Sequence, residues 1–334
     1  MKKILITGSA GFIGFSLSQK LLKKGYNILG YDSLNNYYDV KLKFNRNKIL
    51  KKFKNYKFVK GSLEDKKKLS ASVLNFRPSI IIHLAAQAGI RYSVNKPEKY
   101  ITSNIIGTYN IIEVAKKIGV KHLIIASSSS VYGSNNSKNF KEIDKTDNQI
   151  SLYAATKKSS ESIAHAYSSL WNIPTTVLRF FTVYGPWGRP DMAYFKFTAS
   201  IMKNKKIDVY NKGKMYRDFT YIDDVTNSIE LLLNKFPNLN SKIKYKNDSI
   251  SNVAPFRIIN IGNQKKIYLK DFIKIIEKNL NKTAVKKYMP MQKGDVKNTL
   301  SNTKLLQSIV KYKPRVNYKE GIYKFLNWYK NYNK

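Results

Sequence analysis

KILITGSAGFIG, residues 3–14, is a short apolar run that leads directly into three closely spaced glycines. Residues without a Cβ atom allow a tight strand-to-helix turn in which the backbone approaches a pyrophosphate, and the phosphates then lie at the positive end of the helix. The stretch therefore predicts a dinucleotide-binding turn after the first strand of an α/β fold. The residues predicted to contact the cofactor here are Gly8, Gly11, Phe12, Ile13 and Gly14.

Outward from this turn, the first half of the chain alternates apolar runs with helical patterns. Near-continuous Ile, Leu and Val runs are typical of parallel strands buried on both faces. They lie at 3–8, 27–32, 56–62, 79–86, 122–128 and 175–185. Helices are predicted between them, at 15–25 and 108–119, each ending at a glycine. The alternation predicts a Rossmann-type, doubly wound parallel sheet with a smaller C-terminal α/β substrate-binding domain.

The predicted domain boundary lies at residue 185, after which Pro, Gly and aromatic residues loosen the pattern. Residues 1–185 are interpreted as the dinucleotide-binding domain, and residues 186–334 as mainly the substrate-binding domain. The chain is expected to return to the first domain near 217–233 and 257–263.

A carboxylate ends the second predicted strand, because Asp32 follows Gly14 by eighteen residues. An acidic side chain at this place can accept hydrogen bonds from both hydroxyls of the adenosine ribose and would repel a 2'-phosphate. Asp32 therefore predicts NAD as the cofactor in preference to NADP.

SLYAATKKS, residues 151–159, places Tyr153 and Lys157 four residues apart, on one face of a helix. A tyrosine with a pKa of about 10 is a poor base at neutral pH, but an adjacent ammonium group stabilises its phenolate. The pair can then exchange a proton with a substrate hydroxyl. Together with the glycine turn and the serine-rich strand end at 122–128, it predicts a catalytic pair.

Composition narrows the class of protein. The 334 residues carry 61 Lys and Arg against 21 Asp and Glu, a formal charge of +40, but the lysines are scattered along the chain. Scattered charge predicts solvated faces and no nucleic-acid partner. The absence of cysteine excludes thiolate nucleophiles, no metal-ligand spacing is present, and no apolar run is long enough to span a membrane. We therefore predict a soluble, cytoplasmic protein without a metal site, and a polar surface loop at 236–252.

Several longer motifs resemble those of the extended short-chain dehydrogenase/reductases, and within them most closely those of the UDP-glucuronate 4-epimerases. The most specific are AAQAGIR (85–91) and RFFTVYGPWGRPDMA (179–193). The others are GSAGFIG (8–14), SNIIGTYNIIE (103–113), ASSSSVYG (126–133), SLYAATKKS (151–159), KMYRDFTYIDDV (214–225) and, more weakly, QKGDV (292–296). The resemblance implies an NAD-dependent enzyme with a Rossmann-type fold, acting on a UDP-sugar.

The resemblance also implies roles for residues at matching positions. Tyr153 would be the base, Lys157 its partner and a ligand of the nicotinamide ribose, and Ser128 the hydroxyl that assists at the reacting carbon. Further cofactor-binding positions are Ser62, Leu63, Leu84, Ala85 and Ala86, where Ser62 replaces the aspartate of many relatives. Substrate-binding positions are Arg91, Ser129, Ser130, Thr182, Arg189, Phe195, Phe197, Arg217 and Asp295.

The implied reaction removes a hydride from C4 of UDP-glucuronate to NAD and returns it to the other face of a 4-keto sugar, which gives UDP-galacturonate. The carboxylate of that intermediate is β to a ketone and prone to leave as carbon dioxide. We interpret ASSSSVYG as a supply of neutral hydroxyls that hold the carboxylate. Ser129, Ser130 and Thr182 would do so, whereas Ser127 is interpreted as a cap of the next turn.

Other functions stay open at this point. Sugar-nucleotide 4,6-dehydratases are disfavoured because Ser129 and Ser130 stand where those enzymes carry an Asp-Glu pair. UDP-glucuronate decarboxylases share the substrate and cofactor, and another UDP-sugar 4-epimerase would share most motifs. A non-enzymatic RNA-binding protein on the same scaffold is the remote alternative, since it would suit the charge. The resemblance further implies a homodimer built from helices around 98–119 and 152–171.

Overall fold

The computed structural model describes residues 2–240 and 245–333. In this part of the chain the strands are β1 (Lys3–Thr7), β2 (Asn27–Asp32), β3 (Tyr56–Lys60), β4 (Ile80–His83), β5 (His122–Ser128), β6 (Thr175–Phe180), β7 (Thr182–Tyr184), β8 (Ile207–Tyr210), β9 (Tyr216–Tyr221), β10 (Phe256–Ile261), β11 (Lys266–Tyr268) and β12 (Lys286–Met289). The α-helices are α1 (Phe12–Lys23), α2 (Val40–Leu50), α3 (Lys66–Phe76), α4 (Ile90–Asn95), α5 (Pro97–Tyr100), α6 (Gly107–Ile118), α7 (Leu152–Trp171), α8 (Ala193–Met202), α9 (Ile222–Leu232), α10 (Leu269–Leu280), α11 (Lys304–Val310) and α12 (Tyr318–Tyr332). A π-helical segment, Ile101–Ile106, joins α5 to α6.

A seven-stranded parallel sheet forms the centre of the fold, in the order β10-β6-β5-β4-β1-β2-β3. β1 pairs with β2 on one side and with β4 on the other. The strand order therefore reverses between β1 and β4, and doubly wound sheets bind ligands in the crevice outside the carboxyl ends at such a point. The predicted doubly wound sheet is confirmed.

Both faces of this sheet are buried because apolar side chains alternate toward two cores. Along β1, Ile4 and Ile6 pack into one cluster, whereas Leu5 packs into the other. Every residue of β5 and β6 is buried. Since the burial of one such side chain contributes about 2 kcal/mol, the strands are fixed along their length and their carboxyl ends form a rigid support for side chains.

The apolar run at 175–185 forms two strands, which corrects the prediction of one. β6 ends at Phe180, and after Phe181 the chain enters β7, which pairs with β9 in a separate three-stranded sheet of order β11-β9-β7. The backbone N–H of Phe181 still donates to Ile261 at 3.0 Å, but its side chain packs beside Tyr132 and Phe140. The break brings Thr182 to the carboxyl edge of the large sheet.

The smaller α/β part contains this three-stranded sheet and the parallel pair β8 and β12. Aromatic packing links its elements, with the rings of Phe219 in β9 and Phe272 in α10 stacked at 4.0 Å. Phe325 of α12 packs edge-on against Tyr194 of α8, with ring centroids 4.8 Å apart.

Two later segments return to the large sheet and its helices. β10 pairs with β6 from Phe256 to Ile261. In α9, Glu230 forms an ion pair with Lys20 of α1, with the nitrogen and oxygen 3.2 Å apart. Of the predicted loop at 236–252, residues 241–244 lie outside the described residues, and the rest contains no helix or strand. No helix within the described ranges is long and apolar enough to cross a membrane.

Candidate active site

The turn between β1 and α1 leaves no room for a side chain at its glycine positions. Gly8 has φ +70°, and a Cβ atom on it would lie 2.8 Å from the backbone nitrogen of Ala85. A Cβ atom on Gly14 would lie 2.1 Å from the carbonyl oxygen of Gly8. α1 begins at Phe12 without a side-chain cap, so its first N–H groups are open to an anion at the positive end of the helix. This cradle fits a pyrophosphate.

Asp32 is the last residue of β2, and two backbone N–H groups hold its side chain in place. Its carboxylate accepts hydrogen bonds from the N–H groups of Ala10 at 3.0 Å and Leu34 at 2.8 Å. The side chain is buried but contributes to the lining of the main cavity. A carboxylate fixed beside the glycine turn fits the adenosine ribose of a dinucleotide.

Lys43 of α2 lies at the same end of the cavity, and the sequence did not single it out. Its ammonium group donates to the side-chain oxygen of Asn35 at 2.6 Å and to the carbonyl of Asn35 at 2.7 Å. Burial lowers the pKa of Lys43 to about 8, while the charge of Asp32 acts in the opposite direction. No sequence signal separates this lysine from the solvated ones, because α2 lacks a clear apolar face.

The four serines at the end of β5 have different partners. The hydroxyl oxygen of Ser128 accepts from the N–H of Ser130 at 3.1 Å and so caps a short 3-10 helix, Ser129–Tyr132. Ser127 instead donates to Glu161 of α7 at 2.5 Å. The prediction that Ser127 caps this turn is therefore wrong, because its side chain points to α7 and the cap is Ser128. Ser129 and Ser130 are partly exposed in the cavity.

Tyr153 and Lys157 lie one turn apart on α7, which Ser151 caps by accepting from Ala154 N–H at 3.2 Å. The ammonium group of Lys157 donates to the carbonyl of Ala126 in β5 at 2.8 Å. Burial lowers the pKa of Lys157 to about 8, against the charge of Glu161. Burial also raises the pKa of Tyr153, whereas hydrogen bonding to Ser128 and the charge of Arg189 lower it. The charge of Asp191 also raises the pKa of Tyr153, so Ser128 and Arg189 favour the phenolate only against burial and this carboxylate.

Arg189 reaches the cavity already paired with a carboxylate. Its Nε and Nη2 donate to the two oxygens of Asp191 at 3.0 and 2.5 Å. The hydroxyl of Tyr37 donates to the same carboxylate at 3.2 Å. The sequence predicted Arg189 but missed Asp191, two residues further on, and Tyr37, whose contact with a segment 154 residues away leaves no local pattern.

Arg217 and Asp295, two predicted substrate residues, are paired with each other at the opposite part of the lining. Nη2 of Arg217 donates to the carboxylate of Asp295 at 2.8 Å, and Nη1 donates to the carbonyl of Lys297 at 3.1 Å. Both side chains remain partly exposed. A guanidinium group has five N–H donors and a carboxylate has two acceptor oxygens, so both residues can contact a ligand while they stay paired.

One cavity of about 420 Å³ collects most of the residues predicted from the sequence. The predicted residues in its lining are Gly8, Gly11, Phe12, Ile13, Gly14, Asp32, Ser62, Leu63, Leu84, Ala85, Ala86, Ser128, Ser129, Ser130, Tyr153, Lys157, Thr182, Arg189, Arg217 and Asp295. They come from the carboxyl ends of several strands and from the segments that follow them, which is where the reversal of strand order opens the crevice.

Three predicted substrate residues lie elsewhere, which corrects the expected location of each. Phe197 is 6% exposed and packs in the apolar core. Phe195 packs against the aromatic residues of α12, with its ring 5.2 Å from that of Tyr329. The guanidinium group of Arg91 lies 4.3 Å from the ring centroid of Tyr210. Phe195 and Phe197 are thus part of apolar packing, whereas Arg91 is exposed and contacts one aromatic ring.

Each of the three histidines has its own hydrogen-bond partners. His83 lies between the hydroxyls of Thr7 and Thr108, and His122 between Thr176 and a backbone carbonyl, all at 3.2 Å or less. His165 contacts Ser251 at 2.9 Å. The described residues contain no group of three His, Cys, Asp or Glu side chains arranged for a metal ion.

Known proteins resemble this chain over nearly its whole length. It is 49% identical over 333 residues to "Protein CapI" of Staphylococcus aureus, which covers 99% of each chain. It is 45% identical over 329 residues to a "Probable UDP-glucuronate 4-epimerase" of Rhizobium meliloti, covering 98% of this chain and 96% of that one. The solved UDP-glucuronic acid 4-epimerase of Bacillus cereus, in complex with UDP-glucuronic acid and NAD, superposes with a TM-score of 0.88 at 31% identity over 99% of each chain.

Residues 4–246 match the family described as the "NAD dependent epimerase/dehydratase family". This match covers the glycine turn, Asp32, the serine-rich strand end and the Tyr-Lys pair. It confirms the predictions of an enzyme, of NAD as its cofactor and of the α/β fold class. On its sequence, its sheet topology and the residues collected at its cavity, the chain belongs to the NAD dependent epimerase/dehydratase family.

Proposed function

We propose that this protein catalyses the 4-epimerisation of UDP-glucuronate to UDP-galacturonate. The observation that carries the proposal is the set of neutral hydroxyl groups, Ser128, Ser129, Ser130 and Thr182, that line one cavity together with Tyr153. Ser129 and Ser130 occupy the positions where a 4,6-dehydratase would need an acid-base pair of carboxyl groups. The names of the relatives from Rhizobium meliloti and Bacillus cereus support the choice of substrate.

The cofactor would be held by groups that need little rearrangement. NAD, when bound, supplies the hydride acceptor and donor for C4 of the sugar. The Gly8–Gly14 turn and the first N–H groups of α1 would hold the pyrophosphate, and Asp32 would hold the adenosine ribose. Lys157 would bind the nicotinamide ribose through N–H groups of its ammonium that do not donate to Ala126.

Tyr153 and Ser128 would act on the 4-hydroxyl of the sugar. The phenolate of Tyr153 accepts the proton of this hydroxyl as the 4-keto sugar forms, and Tyr153 returns the proton when C4 is reduced. Ser128 donates a hydrogen bond to the same oxygen and so fixes its position. Lys157 in its ammonium form stabilises the phenolate.

The site must control the orientation of the substrate carboxylate. It is β to the ketone of the intermediate, and carbon dioxide leaves when the breaking C–C bond aligns with the carbonyl π system. Ser129, Ser130 and Thr182 would hold the carboxylate out of this alignment while the ring turns. Hydrogen bonds to a charged group contribute about 2 kcal/mol each, which is enough to select one orientation and weak enough to permit the turn.

The direct test is to mix the purified protein with UDP-glucuronate, without added cofactor, and to resolve the products by NMR. We expect a mixture of UDP-glucuronate and UDP-galacturonate, because the cofactor is regenerated in each cycle. A UDP-pentose as the main product would identify a decarboxylase, and conversion of UDP-glucose but not of UDP-glucuronate would identify another UDP-sugar 4-epimerase. Absence of any reaction after NAD is supplied would overturn the proposal. Tyr153→Phe serves as the inactive control.

We also propose that two copies of the chain associate through the helical segment 97–118 and α7. Large apolar side chains are exposed on these helices, at 44% for Ile106 and 71% for Leu170. Residues 1–185 and 186–334 remain our proposed division into cofactor and substrate domains, with β10 belonging to the first.

A further inference from the structure

A buried cluster of charged and polar side chains lies directly behind the catalytic residues. We define the Glu161 cluster as Ser127, Glu161, Arg179 and the carbonyl of Glu142. Glu161 is 2% exposed and Arg179 is 1% exposed. Arg179 donates through Nε and Nη2 to the two carboxylate oxygens at 3.0 and 2.8 Å, and Ser127 donates to the first of them at 2.5 Å. Such bidentate, charge-assisted contacts fix geometry as well as charge.

The position of this cluster relates it to two catalytic residues at once. Ser127 directly precedes Ser128, and in the sheet register Ser127 lies opposite Arg179. Glu161 follows Lys157 by one turn of α7, so the two side chains lie on one face of the helix. Lys157 bonds to Ala126 while Glu161 bonds to Ser127. α7 is therefore attached to two consecutive residues of β5, immediately before Ser128.

We propose that Glu161 is a positioning residue, which fixes the strand end that carries Ser128 and keeps the ammonium group of Lys157 charged. The simpler explanation is that Glu161 only neutralises the buried Arg179. Arg179 has further contacts of its own, with the carbonyl of Glu142 at 3.1 Å and with the ring of Tyr132 at 4.8 Å. The two explanations differ in whether Lys157 and Ser128 respond when Glu161 and Arg179 are replaced together.

The charges around Lys157 give the proposal a pH dependence. Tyr153 and Glu161 flank Lys157 on α7, and His83 faces it from β4; burial and the charge of Lys157 lower the pKa of His83 to about 3, so this ring is neutral. Glu161 is the group that raises the pKa of Lys157 against its burial. Without the carboxylate, Lys157 loses its proton at a lower pH, and the contacts proposed for it with the phenolate and the nicotinamide ribose would weaken there first.

The first experiment compares Glu161→Gln with the double variant Glu161→Gln/Arg179→Met, in which no unpaired buried cation remains. It rests on the proposed function, because turnover of UDP-glucuronate is followed by NMR between pH 6 and 10. We expect the alkaline limb of kcat to move by about one pH unit to lower pH in both variants, which is a tenfold loss on that limb. The dissociation constant of NAD, measured calorimetrically, should rise more steeply with pH than in the wild type.

The controls separate the possible failures. Glu277→Gln makes the same change at a glutamate of α10 that pairs with Lys286, outside the proposed dimer surface, and it should keep the wild-type pH profile. A wild-type enzyme that does not convert UDP-glucuronate would refute the proposed function. An active wild type together with a double variant of unchanged pH profile and unchanged NAD binding would refute the role of Glu161 toward Lys157.

The second part of the proposal, the support of Ser128, is tested by Ser127→Ala. This change removes one hydrogen bond and no charge, so the variant should fold even if Glu161 cannot be replaced. We expect kcat to fall roughly fivefold with KM unchanged, because only part of the free energy of one hydrogen bond to a charged group acts on the position of Ser128, and we expect the alkaline limb to stay at its wild-type pH. A kcat equal to that of the wild type would overturn this part.

Discussion

At the scale of single residues, neighbouring serines have unlike tasks because strand geometry directs successive side chains to opposite faces. Ser127 points toward α7 and reaches Glu161, whereas Ser128 points toward the cavity and caps the turn that presents Ser129 and Ser130. Of the four consecutive serines, Ser127 thus connects β5 to α7, and the next three place their hydroxyl groups at the cavity.

Ser129 carries a prediction about product identity. Ser129→Ala removes one proposed donor to the carboxylate, so the 4-keto intermediate should lose carbon dioxide more often. We expect a UDP-pentose to appear beside UDP-galacturonate, with a several-fold slower epimerisation, measured by NMR and by trapped carbon dioxide. Ser162→Ala, at an exposed serine of α7, is the matched control. Wild-type rate and no additional carbon dioxide would remove Ser129 from the carboxylate contacts.

Gly14 carries a prediction about the cofactor turn. Gly14→Ala would force a Cβ atom to within 2.1 Å of the Gly8 carbonyl, so the turn must shift. We expect a loss of about 3 kcal/mol in unfolding free energy and a large loss of NAD affinity, measured by chemical denaturation and calorimetry. At Gly119 an added Cβ atom would have no neighbour within 4 Å, and only the positive φ of +59° is unfavourable for alanine. Gly119→Ala should therefore lower the unfolding free energy by about 1 kcal/mol and leave NAD binding unchanged. Equal NAD affinity in the two variants would contradict the steric account.

At the scale of elements, α7 presents Tyr153 and Lys157 from its first two turns, so its N-terminus determines their position. Ser151 caps that end. Ser151→Ala should lower the unfolding free energy by about 1 kcal/mol and should lower kcat as well, because the frayed turn carries the base.

Ser159→Ala is the control for this prediction, since the hydroxyl of Ser159 only bonds back to Ala155 within the same helix. It should leave both quantities nearly unchanged. The measurements are thermal unfolding and the steady-state rate. If Ser151→Ala lost stability but kept kcat, the cap would support the fold without positioning Tyr153.

The break between β6 and β7 shows how tertiary contacts divide an apolar run. β6 is paired on both sides, by β5 and β10, and this pairing ends at Phe180. The next residues join the small sheet through β9. No residue at 181 breaks a strand by itself, and the sequence alone therefore predicted one continuous strand.

At the scale of the whole molecule, the exposed apolar side chains of the helical segment 97–118 and α7 fit association between two copies. Ile106→Lys would place a charge in that surface and should shift the protein toward monomers in light scattering. Leu231→Lys is the control, because Leu231 is similarly exposed, at 42%, and belongs to α9, outside these helices. If both variants keep the oligomeric state of the wild type, the proposed surface is wrong; a monomeric wild type would refute the dimer itself.

The sequence by itself determined the features that follow from local chemistry. The glycine turn, Asp32 at the end of β2 and the Tyr153-Lys157 spacing all depend on contacts within a strand, a turn or one helix face, so their pattern is visible along the chain. The apolar runs likewise determined most strands of the large sheet. Motif resemblance added the family and most cavity residues, including Thr182 and Arg217.

Only the tertiary structure decided which groups pair across the chain. It placed Tyr37 on Asp191, Glu161 on Arg179 and Ser127, and Lys43 beside the cofactor end of the cavity. It also packed Phe195 and Phe197 among apolar side chains and set the exposed Arg91 beside the ring of Tyr210. These contacts join residues that are far apart in the sequence and that meet only in the folded chain. The order of residues along the chain therefore does not show which of several possible partners a side chain will contact.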